Sequence, residues 1–153
     1  MSDRHEPQTQ PPAAYLDRSA ADWLAGLRSN DALERRLAAY ALGEIGPTAK
    51  VLAQTELLAA LGDAEPFVRV WAAAALARVA PESIPQALAS LVDATGAEVY
   101  WIRSLAAWQL GRLGPATPGI DAALPPLEAL RNDPDRNVRT EAEHACKRLR
   151  RNS

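Results

Sequence analysis

The chain has 153 residues, close to half of them hydrophobic, and a formal net charge of −2. That is apolar content enough for one folded unit, without the basic surplus that would announce a nucleic-acid binder. A lone cysteine, Cys146, excludes an internal disulfide, and no stretch approaches the ~20 apolar residues of a membrane span.

In chain order, MSDRHEPQTQPPAAY comes first, with Asp3, Glu6 and prolines at 7, 11 and 12 but no apolar run of the secretory kind. Residues 1–17 therefore read as a disordered tail and the protein as cytoplasmic. Arginine greatly outnumbers lysine, which occurs only at Lys50 and Lys147, a usage that fits a GC-rich bacterial genome. Beyond the tail a segment recurs four times: LERRLAAYALGEIGP from Leu33, FVRVWAAAALARVAP from Phe67, WIRSLAAWQLGRLGP from Trp101 and NVRTEAEHACKRL from Asn137. Its third position is always arginine, at Arg35, Arg69, Arg103 and Arg139, which sets spacings of 34, 34 and 36 residues. Self-similarity at such a period marks a repeat array. The repeats run over about 18–47, 48–81, 82–115 and 116–151.

Each repeat predicts two helices. Trp23, Leu57, Leu91 and Leu127 share one register position, with Ala20, Gln54, Leu88 and Leu124 three residues earlier, which is the buried stripe of a first helix. A polar break follows, where Asp31, Asp63 and Asp133 are the expected N-caps and Pro66 and Pro134 fit a first turn. In the second helix, Val68, Ala72, Ala75, Leu76 and Val79 fall within roughly 100° of arc, a core stripe. Gly46-Pro47, Ala80-Pro81 and Gly114-Pro115 end the repeats, since proline cannot continue a helix. The fourth copy carries Cys146 where the others have Leu42, Leu76 and Leu110, and Glu143 and His144 make it polar, as a terminal cap requires. The predicted fold is all-α, a right-handed α-solenoid of about four two-helix repeats.

The motifs AYALGEIGP and AWQLGRLGP, after starts such as FVRVWAA, resemble HEAT repeats, in particular the short bacterial phycobilisome-lyase HEAT-like repeats. The tetratricopeptide repeat shares the period, but its W-x₂-L-G-x₂-Y spacing is not met at Trp108-Gln109-Leu110-Gly111. The resemblance implies that Arg35, Arg69, Arg103 and Arg139 form a structural ladder tying successive repeats, and that the second helices line a concave surface.

The aromatic side chains divide by helical angle. Trp23 belongs to the core stripe, and Trp71 points toward the neighbouring second helix. Tyr40 and Trp108 lie roughly 140° from the core centre, and Trp101 precedes Trp108 by a heptad on much the same side. Tyr40, Trp101 and Trp108, with Trp71 at the edge, are thus expected to form an aromatic strip in the groove, which either binds a partner or folds over the seams between repeats. Tryptophan and tyrosine dominate binding hot spots. Arg78 and Arg112 sit one turn further on, in a row with Glu44 and Arg148, where they would meet an acidic group or form a solvated rim. The Lys147–Arg151 cluster complements the dipole of the last helix and is a further point of attraction for nucleic acid.

Catalytic signals are missing from the sequence. His5 lies in the tail; His144 and Cys146, two apart on one helix, point about 200° away from each other and cannot share a metal. No nucleophile stands beside a histidine base, and no glycine-rich phosphate loop is present. The His-Glu pairs that the resemblance would require of an iron-binding HEAT hydroxylase occur only as His5-Glu6. The expected function is non-enzymatic: a protein–protein interaction scaffold that holds a peptide or partner helix in its groove, without cofactor or metal. The alternatives are a nucleic-acid-binding HEAT-like module, disfavoured by the acidic balance, and a bilin-lyase-like subunit with a groove for a tetrapyrrole.

Overall fold

A computed structural model describes residues 14–151. A short hairpin, β1 (Ala14–Tyr15) and β2 (Arg18–Ser19), precedes eight helices: α1 (Ala20–Gly26), α2 (Ala32–Ile45), α3 (Lys50–Ala60), α4 (Pro66–Val79), α5 (Ile84–Ala94), α6 (Tyr100–Leu113), α7 (Leu124–Leu130) and α8 (Arg136–Leu149). Odd and even helices pair as four antiparallel hairpins, and each even helix packs on the next, so the repeats stack into an all-α solenoid. The buried face is the one read from register: Trp23, Leu57, Leu91 and Leu127 from the first helices, Leu42, Leu76, Leu110 and Cys146 from the second.

Most of the expected disordered tail, 1–13, lies outside the described residues. Its last four positions do not fit that expectation, because Ala14 to Ser19 close a hairpin through left-handed Leu16 and Asp17, at φ 48° and 59°. The indole N–H of Trp23 donates to the Tyr15 carbonyl at 3.0 Å, and the Arg18 guanidinium lies 3.9 Å from the centre of the Trp23 ring. These contacts fasten the hairpin over the first repeat.

The N-caps need correction at two of three positions. Asp31 does cap α2, but Glu65 caps α4 and Asp135 caps α8, each two residues after the expected aspartate. Asp63 and Asp133 instead accept the backbone N–H of Glu65 and Asp135 and turn their carboxylates to the preceding repeat. Pro66 is the first residue of α4 as expected, whereas Pro134 stands just ahead of the Asp135 cap. Helix α6 has Val99 at its N-cap position and so no side-chain cap.

Helix-to-helix spacing varies along the stack for a reason visible in the side chains. Gly43 of α2 faces Ala75 of α4, and Gly111 of α6 faces Ala145 of α8, so closely that an added Cβ would meet the facing Cα at 3.0 Å in both cases. Between α4 and α6 the same register brings Ala77 opposite Gln109, and the two helices touch far less. A glutamine in place of alanine acts as a wedge. Gln109 is buried to 4% exposure and its amide nitrogen has no hydrogen-bond partner among the described residues. A buried polar group left without a partner costs about 1–3 kcal/mol.

Candidate functional site: an aromatic groove

The four register arginines are anchored alike within their own repeats. Each arginine donates through Nη1 to two carbonyls of its own loop: Arg35 to Ser29 and Asn30, Arg69 to Asp63 and Ala64, Arg103 to Ala97 and Glu98, Arg139 to Asp133 and Pro134. In two of them the rest of the guanidinium reaches the next repeat. Arg35 grips Asp63 at 2.8 and 3.0 Å, and Arg103 grips Asp133 at 2.7 and 3.0 Å, both as two-pronged ion pairs. Hydrogen bonding from these arginines holds the Asp63 and Asp133 carboxyls below the usual carboxylate range, against the opposing effect of burial. Arg69 and Arg139 reach no carboxylate among the described residues; for Arg69, Ala97 stands where the neighbouring rungs have Asp63 and Asp133.

On the opposite side the even helices form the groove. Three register rows line it: Leu33, Phe67, Trp101 and Asn137; Leu37, Trp71, Leu105 and Glu141; Tyr40, Ala74, Trp108 and His144. Every row is apolar through three repeats and turns polar in the fourth. Trp71, expected at the edge, is the centre of the surface. Its ring is edge-on to Tyr40 at 5.1 Å and to Trp108 at 6.2 Å, and Tyr15 extends the series on Tyr40 at 5.8 Å. The small Ala74 between Tyr40 and Trp108 in its row leaves room for the Trp71 ring. Edge-to-face contacts of this kind contribute about 0.5–1.5 kcal/mol each beyond area burial. The aromatics thus cross the seams and line the groove at once; the two readings of the strip do not exclude each other. Hydrogen bonding with the Tyr15 side chain, followed by burial, pushes the Tyr40 phenol above its ordinary value, so it stays neutral.

The space these side chains enclose is about 700 Å³ and opens widely to solvent, with Phe67, Trp71, Trp101, Leu105 and Trp108 as its apolar wall. Trp101 stands apart from the ladder: it is 53% exposed and stacks only on Tyr100, at 4.6 Å. Arg36 and Arg112 frame the groove, their guanidiniums 5.5 Å from the Phe67 ring and 4.7 Å from the Trp108 ring. Glu141 supplies the one carboxylate of its lining. Arg78 was expected in the same role as Arg112, but it pairs with Glu44 at 2.5 Å and serves as a link between the first two repeats. The register reading missed Arg36, which a helical wheel places beside Leu33 and Tyr40. It also missed Tyr15, which no repeat pattern could supply. Among the described residues no cluster of histidine, cysteine and carboxylate side chains could hold a metal, and no helix is long and apolar enough to cross a membrane.

Stacked two-helix repeats with an aromatic face on the even helices define an α-solenoid. The HEAT-repeat family model matches residues 20–98 and 55–147, and the chain belongs to the HEAT-repeat family. No curated protein matches it significantly. Among solved structures it is similar to a chain in the complex of CpcE and CpcF of phycocyanin lyase from Nostoc sp. PCC7120, at 20% identity and a TM-score of 0.52, covering 98% of this chain and 70% of that one. At this identity the likeness speaks to fold, and it supports the resemblance to phycobilisome-lyase HEAT-like repeats. It also corrects the expectation of a non-enzymatic protein. The same architecture serves within a lyase, so the lack of a catalytic constellation in the sequence does not set the chain apart from enzymes.

Proposed function

We propose that the chain is a binding subunit whose concave groove seats an amphipathic helical segment of a partner polypeptide, apolar on one face and acidic along its flank. The observation that carries this reading is the change in the three groove rows from apolar in the first three repeats to polar in the fourth. An apolar stripe of three repeats suits the i, i+3, i+4, i+7 anchors of a helix laid into a groove. Arg36 and Arg112, on aromatic rings at the rim, favour acidic residues beside that stripe. Trp101, half exposed and unsupported by the ladder, is the anchor most available to the partner.

The test compares wild type with Trp101→Ala and with Arg36→Gln/Arg112→Gln in capture of a binding protein. A synthetic peptide of the captured segment is then titrated against purified protein by tryptophan fluorescence. Loss of peptide affinity by at least ten-fold in Trp101→Ala, with a smaller and salt-sensitive loss in the arginine variant, supports the reading. Equal affinity in all three removes the groove from consideration.

A second reading has its own support. The likeness to a chain of a phycocyanin lyase complex, together with an aromatic wall framed by two arginines, suits an open-chain tetrapyrrole with carboxylate side groups. Biliverdin added to the protein would show a shifted visible band and quench Trp71 and Trp108; an unchanged spectrum excludes it.

A further inference from the structure

Two of the four loops that lead into the even helices share an acidic pattern, the first repeat has Ser29-Asn30-Asp31 with the Ser29 hydroxyl accepting the Asp31 N–H at 3.1 Å, and the third repeat lacks both features. In the second repeat the loop reads Asp63-Ala64-Glu65 and in the fourth Asp133-Pro134-Asp135. The first acidic residue of each does two jobs: its carboxylate receives the guanidinium fork of the preceding repeat, and its Oδ1 also accepts the backbone N–H two residues on, at 2.9 Å. In the third repeat the loop reads Ala97-Glu98-Val99. Both acidic positions are gone, and the donors that served them remain.

Arg69 is nevertheless held as its sister arginines are. Its Nη1 donates to the Asp63 carbonyl at 2.7 Å and to the Ala64 carbonyl at 3.2 Å, matching the anchoring of Arg35 and Arg103. The fork is therefore oriented toward position 97 without a carboxylate to orient it. By register, the Val99 N–H that an aspartate at 97 would bind lies beside it. Within the same chain, this set of donors closes on a carboxylate twice.

We propose that the α5–α6 loop carries a carboxylate receptor, formed by the Arg69 fork and the Val99 N–H, that takes an aspartate or glutamate side chain of a partner polypeptide. A free carboxylate group occupies the volume that the carboxylate of Asp63 or Asp133 fills in the neighbouring loops, the Ala97 methyl leaving that room. The surroundings select a polypeptide over a small anion. Val99 is 50% exposed and Trp101 53%, and these two exposed apolar side chains belong to this loop and the turn after it. An acidic residue followed by an apolar one would satisfy fork and patch together. The Arg69 fork and the Val99 N–H do not line the groove, so the carboxylate receptor stands whether or not the groove reading does, although Trp101 borders both.

The probes are sodium formate, at ionic strength matched with sodium chloride, and the blocked dipeptides N-acetyl-aspartyl-leucine amide and N-acetyl-asparaginyl-leucine amide. Binding is read from the NMR resonances of the Arg69 Nε–H and the Val99 amide. Wild type is expected to show saturable shifts with formate, and with the aspartyl dipeptide at concentrations at least ten-fold lower. The asparaginyl dipeptide should give none. Ala97→Asp fills the receptor from within, as Asp63 and Asp133 do, so it should fold normally and lose both responses. No saturable shift with formate, as when Glu98 of the same loop swings in to fill the fork, overturns the receptor. A dipeptide no better than formate overturns the polypeptide partner, and equal responses in Ala97→Asp overturn the location.

Discussion

The clearest perturbation of the stack is Asp133→Asn. The carboxylate of Asp133 accepts three N–H groups, two from Arg103 at 2.7 and 3.0 Å and one from Asp135 at 2.9 Å. The pair is largely out of solvent, with side-chain exposures of 15% for Arg103 and 5% for Asp133. An amide in place of the carboxylate turns an N–H₂ toward one prong of the guanidinium and leaves the charge without a counter-ion. Breaking one side of a buried pair costs about 3–5 kcal/mol, and some water access to Arg103 places this case at the lower end, near ~3 kcal/mol. Exposed pairs such as Arg131 with Glu128 are screened by solvent and contribute far less. The assay is urea unfolding at pH 7 and again near pH 3. Because the folded-state pKa of Asp133 is lowered, its contribution is full above the ordinary carboxylate range and is lost as pH falls through the depressed value. The difference between wild type and Asp133→Asn should therefore be large at neutral pH and shrink in acid. A difference below about 1 kcal/mol at pH 7, or one unchanged in acid, would refute the view that the ladder holds the repeats together.

Three further outcomes follow from the packing. Gly111→Ala should destabilise by about 1–2 kcal/mol, because overpacking against Ala145 outweighs the helix-propensity gain of about 1 kcal/mol; chemical denaturation decides, and a more stable variant would mean that α6 and α8 can separate. Trp108→Ala should cost about 2 kcal/mol by breaking the edge-to-face series, whereas Trp101→Ala should cost under about 0.5 kcal/mol; equal losses in thermal unfolding would deny Trp101 its separate role. Burial first, and then the neighbouring Glu128, pushes the Cys146 thiol up to about 11, so iodoacetamide at pH 8 should label it only after denaturation, as mass spectrometry would record.

What could be read in advance was whatever the repeat period repeats. Four arginines in register, the leucine stripe and the proline-ended helices specify hairpin number, boundaries and core because each unit solves the same burial problem with the same residue types. The groove was legible through helical angle: Tyr40, Trp101 and Trp108 do line it. The features that make this array particular were hidden because they are departures from the repeat, and a departure is meaningful only against the contacts its counterparts make. The N-cap reading erred by two residues because Asp63 and Asp133 suit a cap as well as a ladder, and only the distances to Arg35 and Arg103 tell which task each performs. Arg78 could not be separated from Arg112 until Glu44 was seen 34 residues earlier on the same row, close enough to neutralise it. Gln109 reads as one more polar residue in a helix until it is placed opposite Ala77, where alanines elsewhere let helices close. Tyr15 lies before the first repeat, and no periodicity reaches it. The same logic connects the three unusual residues of the third repeat. Gln109 opens the seam with α4, while Ala97 and Val99 free the donors of Arg69 and the α6 start. The third repeat thus departs from its neighbours on both faces at once, and each departure forgoes an interaction that the other repeats use to hold the stack, which is the expected mark of surfaces shaped for something other than stability.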